Sequence, residues 1–189
     1  MVTLPLSELK YRTNMKSNWL ALITIIDSMT EWLGRTASWL VLAMVLLICY
    51  DVAMRYLFQQ GSVALQELEW HLFALIFLLG AAYTLKHDQH VRVDIFYQSR
   101  FVSDRQRAWI DILGTLLLLM PFCLLVLVTS WPFVENAFYY QEGSPDPGGL
   151  PYRFLLKASL LIAFALLILQ GLAEILKNII KLQHNTESQ

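Results

Sequence analysis

A chain of 189 residues that is 57% hydrophobic and 15% charged, with a mean hydropathy of +0.50, departs from soluble domains, where about a quarter of residues are charged. That composition excludes a soluble helical bundle, and a net charge of -1 gives no basis for global attraction to nucleic acid. The only cysteines, Cys49 and Cys123, fall in apolar stretches, so they read as small fillers and write neither a disulfide framework nor a CxxC motif.

Residues 1–16 form a polar tail with charges where a signal peptide needs its apolar centre, so no targeting peptide is expected to be removed. Residues 17–35 carry Trp19, Leu22, Ile23, Ile26, Met29 and Leu33 on one stripe, opposite Thr24, Asp27, Ser28, Glu31 and Arg35. Helical spacing of this kind predicts an interfacial amphipathic helix. The alternative is that this segment extends the first span inward.

Four apolar stretches follow, at 37–58, 70–85, 112–131 and 153–172, within a membrane domain of residues 36–176. About 20 helical residues cross a hydrocarbon core of about 30 Å, and only helices or closed barrels satisfy their backbone there. Runs such as Leu113 to Leu119 and Leu160 to Leu169 are apolar on every face, which excludes alternating barrel strands. The fold class is therefore all-α, with four transmembrane helices. The second stretch is the shortest and calls for anchors such as Trp70 and Tyr83, or for local thinning of the bilayer.

The short turn Gln59-Gln60-Gly61-Ser62 predicts an antiparallel hairpin of the first two spans. In the longer connection after Lys86, Ser103 and Gln106 have capping-box spacing and mark a helix start that runs into the third span. Pro121 should kink that span or free a carbonyl. Residues 142–151, with Gly143, Pro145, Pro147, Gly148, Gly149 and Pro151, form a turn-rich outer connection, and residues 177–189 form a C-terminal tail. Basic residues collect before the first span (Lys10, Arg12, Lys16, Arg35), between the second and third (Lys86, Arg92, Arg100, Arg105, Arg107) and after the fourth (Lys177, Lys181). By the positive-inside rule both termini are cytoplasmic.

Asp51 and Arg55 lie four apart near the outer end of the first span, so they share a helix face. Glu67 and Glu69 lie across the hairpin, level with Arg55. The four form an expected polar cluster that locks the hairpin, a shallow site better suited to structure than to an ion or proton relay. His71, His87, His90 and His184 fall at different depths, so no facing pair of axial ligands can be drawn, and no haem, metal or other cofactor is expected. No GxSxG, HExxH, GxGxxG or P-loop motif occurs, so no catalytic residue can be named. Ser159 with Ala163, and Gly80 with Ala81 and Ala82, allow close helix approach, within the chain or onto a partner. Few polar groups line the spans, and no span is broken by paired Gly and Pro as transporter sites often are.

Three stretches together resemble the small four-span membrane subunit, or Q subunit, of tripartite ATP-independent periplasmic (TRAP) transporters, over about residues 35–177. They are Tyr50-Asp51-Val52-Ala53-Met54-Arg55-Tyr56, Glu67-Leu68-Glu69-Trp70, and His90-Val91-Arg92-Val93-Asp94 following Gly80-Ala81-Ala82-Tyr83. Asp146-Pro147-Gly148-Gly149-Leu150-Pro151-Tyr152-Arg153 and Leu169-Gln170-Gly171 are similar to a branch associated with mannitol or chloroaromatic compounds.

The resemblance implies a subunit of a sodium-driven secondary transporter that imports an organic acid, commonly a carboxylate, delivered by a periplasmic binding protein. It implies a large M membrane subunit as partner, membrane lipid as surroundings and a bacterial inner-membrane location. The large subunit would hold the substrate and sodium sites, and this chain would be its scaffold. Asp51, Arg55, Glu67 and Glu69 would stabilise the outer hairpin, and His90, Arg92 and Asp94 would fix a cytoplasmic corner. Glu142 and Asp146 would lie near the docked binding protein. The chain's length fits a separately encoded subunit. The competing classes are a membrane anchor or cytochrome subunit of a redox enzyme, a self-sufficient small oligomeric transporter, and a purely structural tetraspan protein.

Overall fold

The structure, a computed structural model, describes residues 6–87 and 103–187, with side chains described for 18–87 and 103–183. Among these residues the chain is all-helical, and four helices are long and apolar enough to cross a membrane. They are α1 (Leu6–Leu57), α2 (Val63–Lys86), α3 (Asp104–Tyr139) and α4 (Phe154–Glu187).

Every helix outruns the apolar stretch that announced it, because hydropathy ends where lipid would end while a helix ends where its backbone is capped or turned. The expected amphipathic helix at 17–35 is helical, but it continues without a break into the first span, within one element of 52 residues. At 1.5 Å per residue that element is roughly 80 Å long, far more than a bilayer needs. The second stretch, short by hydropathy, starts at Val63 and takes Glu67 and Glu69 into the helix. Its 24 residues reach about 36 Å, enough to cross without local thinning.

Between α1 and α2 the reversal is made by Gln59, whose φ of 55° lies in the left-handed region, while the Gln60 N–H returns to the Met54 carbonyl at 3.1 Å. The predicted capping box opens α3. The Ser103 hydroxyl accepts from the Gln106 N–H at 3.4 Å, and the Gln106 side chain accepts from the Ser103 N–H at 2.9 Å.

Pro121 is accommodated by a single π-helical turn, Thr115–Leu119, immediately before it, in which the Met120 N–H returns to the Thr115 carbonyl. Proline lacks an N–H and its ring crowds the carbonyl four residues back, so a widened turn relieves both problems. The expected disturbance of the third span thus takes the form of this wide turn. The helix then runs past Trp131 and through Pro132 to Tyr139.

α4 is the hub of the fold, packing against α1, α2 and α3, while α1 and α2 pair as the expected hairpin. α3 leans chiefly on α4. Lipid tails are as apolar as leucine, so helices in a membrane associate through close packing of small residues and a few polar contacts. The buried positions follow that rule. Ala82, Ser159, Ala163 and Ala173 are all buried, and Cys123 packs with Ala82, Leu166 and Leu167 in the central cluster. A second cluster joins Ile23 and Ile26 of α1 to Ala173 of α4.

At Gly34 even a methyl group would strike the Tyr83 ring, its Cβ falling 2.1 Å from the ring carbon Cδ2. Glycine is what lets α1 approach α2 there. Gly80, by contrast, faces open space. The long apolar side chains, among them Leu46, Phe77, Leu118 and Val128, point outward, where lipid or a partner's helices would meet them.

Candidate functional site: polar clusters at the two ends of the bundle

Polar side chains gather at both ends of the helices, called outer and inner by the orientation expected from the positive-inside rule. At the outer end, Arg55 donates to Asp51 one turn earlier on α1. Asp51 is buried and its Oδ1 has no hydrogen-bond partner among the described residues. The cross-hairpin contact expected from Arg55 to an acid of α2 is not what the structure gives.

Glu67 instead serves the connection between α3 and α4. Its carboxylate accepts from the Ser144 hydroxyl and from the Leu150 N–H, the latter at 2.6 Å. Around it the connection is closed by the Ser144 N–H to the Leu150 carbonyl at 3.0 Å and the Arg153 N–H to the Glu142 carbonyl at 2.9 Å. Gly149 is required at the closest point, since a Cβ there would lie 2.8 Å from Glu67 Oε2 and 2.3 Å from Ser144 Oγ. Glu69 does not join this group, and its Oε1 is buried without a partner among the described residues.

Two cations finish the outer end. The Arg153 guanidinium stands 5.2 Å from the Trp70 ring, and Lys157 pairs with Glu142 while lying 3.9 Å from the Phe133 ring. Glu142 is therefore engaged inside the fold, whereas Asp146 is exposed. His71 is turned back to the Glu67 carbonyl at 2.6 Å.

The inner end holds a second cluster, built around Asp27 and Glu31 from the polar face of residues 17–35. Gln170 of α4 is fully buried, accepting from the Thr30 hydroxyl of α1 at 2.8 Å. Its amide donates to Asp27 at 3.0 Å and to Glu174 at 3.3 Å. Lys177 bridges the same two carboxylates, at 3.0 and 2.8 Å. One turn along α1, Glu31 receives Lys86 at 2.7 Å, His87 at 3.0 Å and Arg35 at 3.3 Å, tying α1 to the last turn of α2.

A signal for this cluster was present: acids and bases recur at Asp27, Glu31, Glu174 and Lys177 inside otherwise apolar helices, each spaced to face a neighbour. The expected corner of His90, Arg92 and Asp94 lies outside the described residues. So does the side chain of His184.

Both clusters are chemically suited to holding helices and a loop in place. Among the described residues, no group of three His, Cys, Asp or Glu side chains could hold a metal ion. The family model for tripartite ATP-independent periplasmic transporters, DctQ component, matches residues 44–180, well over half of the chain. The chain belongs to the DctQ family.

The DctQ match takes in Asp51, Arg55, Glu67, Glu69, the whole outer connection, Lys86, His87, Gln170 and Lys177, but leaves out the α1 side of the inner cluster, Asp27, Thr30, Glu31 and Arg35. A DctQ relative, the C4-dicarboxylate TRAP transporter small permease protein DctQ of Vibrio cholerae serotype O1 (strain ATCC 39315 / El Tor Inaba N16961), is 28% identical over 145 residues. The alignment takes in 74% of this chain and spans 60% of that relative's length. DctQ membership and four membrane-capable helices make the chain a multi-pass membrane component of the TRAP type.

Proposed function

We propose that the chain is the scaffold subunit of a sodium-driven TRAP transporter in a bacterial inner membrane, with both termini in the cytoplasm. In this reading it supports a large M subunit that carries an organic acid handed over by a periplasmic binding protein. The DctQ family match carries the proposal. It is supported by the way the described polar side chains are spent: Gln170, Asp27, Glu31 and Glu67 bind their own helices and loop, at the ends of the bundle. The apolar outer faces then serve lipid and the large subunit.

In the same reading residues 17–35 sit at the inner interface, with Leu22, Ile25 and Trp32 exposed on one side of α1. Exposed Asp146 and half-covered Glu142 lie near the docked binding protein, and His90, Arg92 and Asp94 fix the cytoplasmic corner by hydrogen bonds.

Co-purification from membranes is the first test, and a large multi-span partner should come down with this chain. Vesicles holding both membrane subunits should take up acid when binding protein and a sodium gradient are supplied, and vesicles holding this chain alone should not. Uptake by the lone chain would end the scaffold reading. Cross-linkers placed at 142 and 146 should capture the binding protein. Normal complex yield after alanine substitution of His90 and Asp94 would dismiss the corner's role.

A further inference from the structure

The π-helical turn of α3 frees backbone acceptors in the middle of a span. In an α-helix the Leu116 and Leu117 carbonyls would receive the N–H groups of residues 120 and 121. Here the Met120 N–H is spent on the Thr115 carbonyl, and Pro121 has no N–H to give. The next N–H, that of Phe122, stands six residues beyond Leu116, past the reach of either helix type. The Leu116 carbonyl therefore has no donor along its own helix, and Leu117 has lost its α-helical one.

Their depth makes this costly. Pro121 stands at the middle of α3 and of the apolar stretch 112–131, where neither bulk water nor lipid headgroups reach. A freed carbonyl at such depth is tolerated where a neighbouring helix, a side-chain donor or a held water satisfies it. Within the chain α3 leans chiefly on α4, where Gly171 lies against Thr115, Leu119 and Met120. The nearby amide of α4, on Gln170, is spent on Asp27 and Glu174. Leu116, Leu117 and Leu118 turn the other way and are 50%, 63% and 74% exposed, so no described residue covers that side of the turn.

We propose that the outward side of this turn packs against a helix of the large membrane subunit, and that a hydroxyl, amide or indole N–H of that helix donates to the Leu116 and Leu117 carbonyls. An acyl chain has no donor, so the freed acceptors select a protein helix over lipid. This contact presupposes the scaffold reading and adds to it the helix, the depth and the chemistry of one interface.

The test uses the full-length chain co-expressed with the large subunit, carrying a benzophenone amino acid at 117 or, separately, at 118. Irradiation in membranes should link both positions to the large subunit, and peptide mapping should place the adducts beside a Ser, Thr, Asn, Gln or Trp. Replacing that donor by an apolar residue of similar size should weaken the complex about threefold, the share of one hydrogen bond between membrane helices. Pro121→Ala restores an N–H beside the same carbonyls, so in that background the replacement should weaken the complex less, and the two changes should not add.

Adducts with lipid alone, a mapped segment without a donor, or full additivity of the two changes would overturn this contact while a co-purifying large subunit leaves the scaffold reading standing. A chain that draws down no large subunit would end both. The adducts form on a chain that keeps its proline, so they decide the matter even where a variant fails to assemble.

Discussion

At the outer end a carboxylate organises a loop, whereas at the inner end a carboxamide organises two helices. Glu67 only accepts hydrogen bonds, and its donors, Ser144 and the Leu150 N–H, belong to a connection that can detach without separating α2 from α4. Gln170 both donates and accepts, so Thr30 must meet its oxygen while Asp27 and Glu174 meet its nitrogen. A slide of one residue between α1 and α4 would leave several buried polar atoms unpaired. The outer device therefore shapes a surface, and the inner one sets register. For a subunit proposed to be static, the register of long helices is the property that must not drift.

The largest effect is expected from Arg55→Leu, which strands Asp51 in a buried position. Removing the partner of a buried carboxylate leaves its charge uncompensated, and because Arg55 itself is 45% exposed the loss should stay at the low end of that effect, about 3 kcal/mol. Unfolding in detergent, followed by tryptophan fluorescence, should show that loss, and Asp51→Leu combined with Arg55→Leu should recover most of it. If Arg55 instead bridged to α2, its substitution would couple to Glu69 rather than to Asp51. Gln170→Leu comes next. Hydrogen bonds between membrane helices average only about 0.6 kcal/mol, so the two that Gln170 makes to α1 suggest a loss of about 1 kcal/mol in the same assay. A loss well under that would deny the inner cluster its role in register.

The helices and the hairpin were legible because long apolar runs and a short Gly-containing turn leave little choice in a membrane, and the capping box because Ser103 and Gln106 act over one helical turn. The outer cluster was legible in composition but not in pairing. Asp51, Arg55, Glu67 and Glu69 stand out as charges among apolar neighbours, yet the partners of Glu67 depend on how the outer connection folds. That path uses positive φ at Gln141, Gly148 and Tyr152, and only Gly148 advertises it. The inner cluster was missed for a different reason. Thr30 and Gln170 are neutral, lie 140 positions apart and sit in helices whose mutual register no local pattern records.

A smaller and local effect separates the two ends more sharply. Glu67→Gln keeps size and one acceptor oxygen but removes the charge and brings an N–H2 toward the donors Ser144 and Leu150. Limited proteolysis should then cut within 142–151 faster than in the wild type, while global unfolding in detergent stays unchanged. Loss of global stability alongside loop cleavage would mean that the outer end also sets helix packing, and the contrast with Gln170 would fail.

The smallest effect is expected from Pro121→Ala, and it asks what causes the π-helical turn. An alanine N–H at 121 can bond the Leu117 carbonyl, so if proline alone imposed the wide turn, Thr115–Leu119 would relax to α-helix. Relaxation, however, would rotate everything beyond it by about 100°, one residue's worth of helix. Ala108 and Ile112 before the turn and Met120 and Cys123 after it are all buried, and Gly171 of α4 lies against Thr115, Leu119 and Met120. Rotation would drive Cys123 out of the central cluster. Packing should hold the turn, leaving stability within about 1 kcal/mol. The chain carries its own control, because Cys49 is exposed and Cys123 is buried. In mild detergent at alkaline pH, where lipid-facing thiols become reachable and ionise, a small maleimide should label Cys49 faster than Cys123 in Pro121→Ala as in the wild type, and equal labelling of both in the variant alone would show that the proline, not the packing, makes the turn.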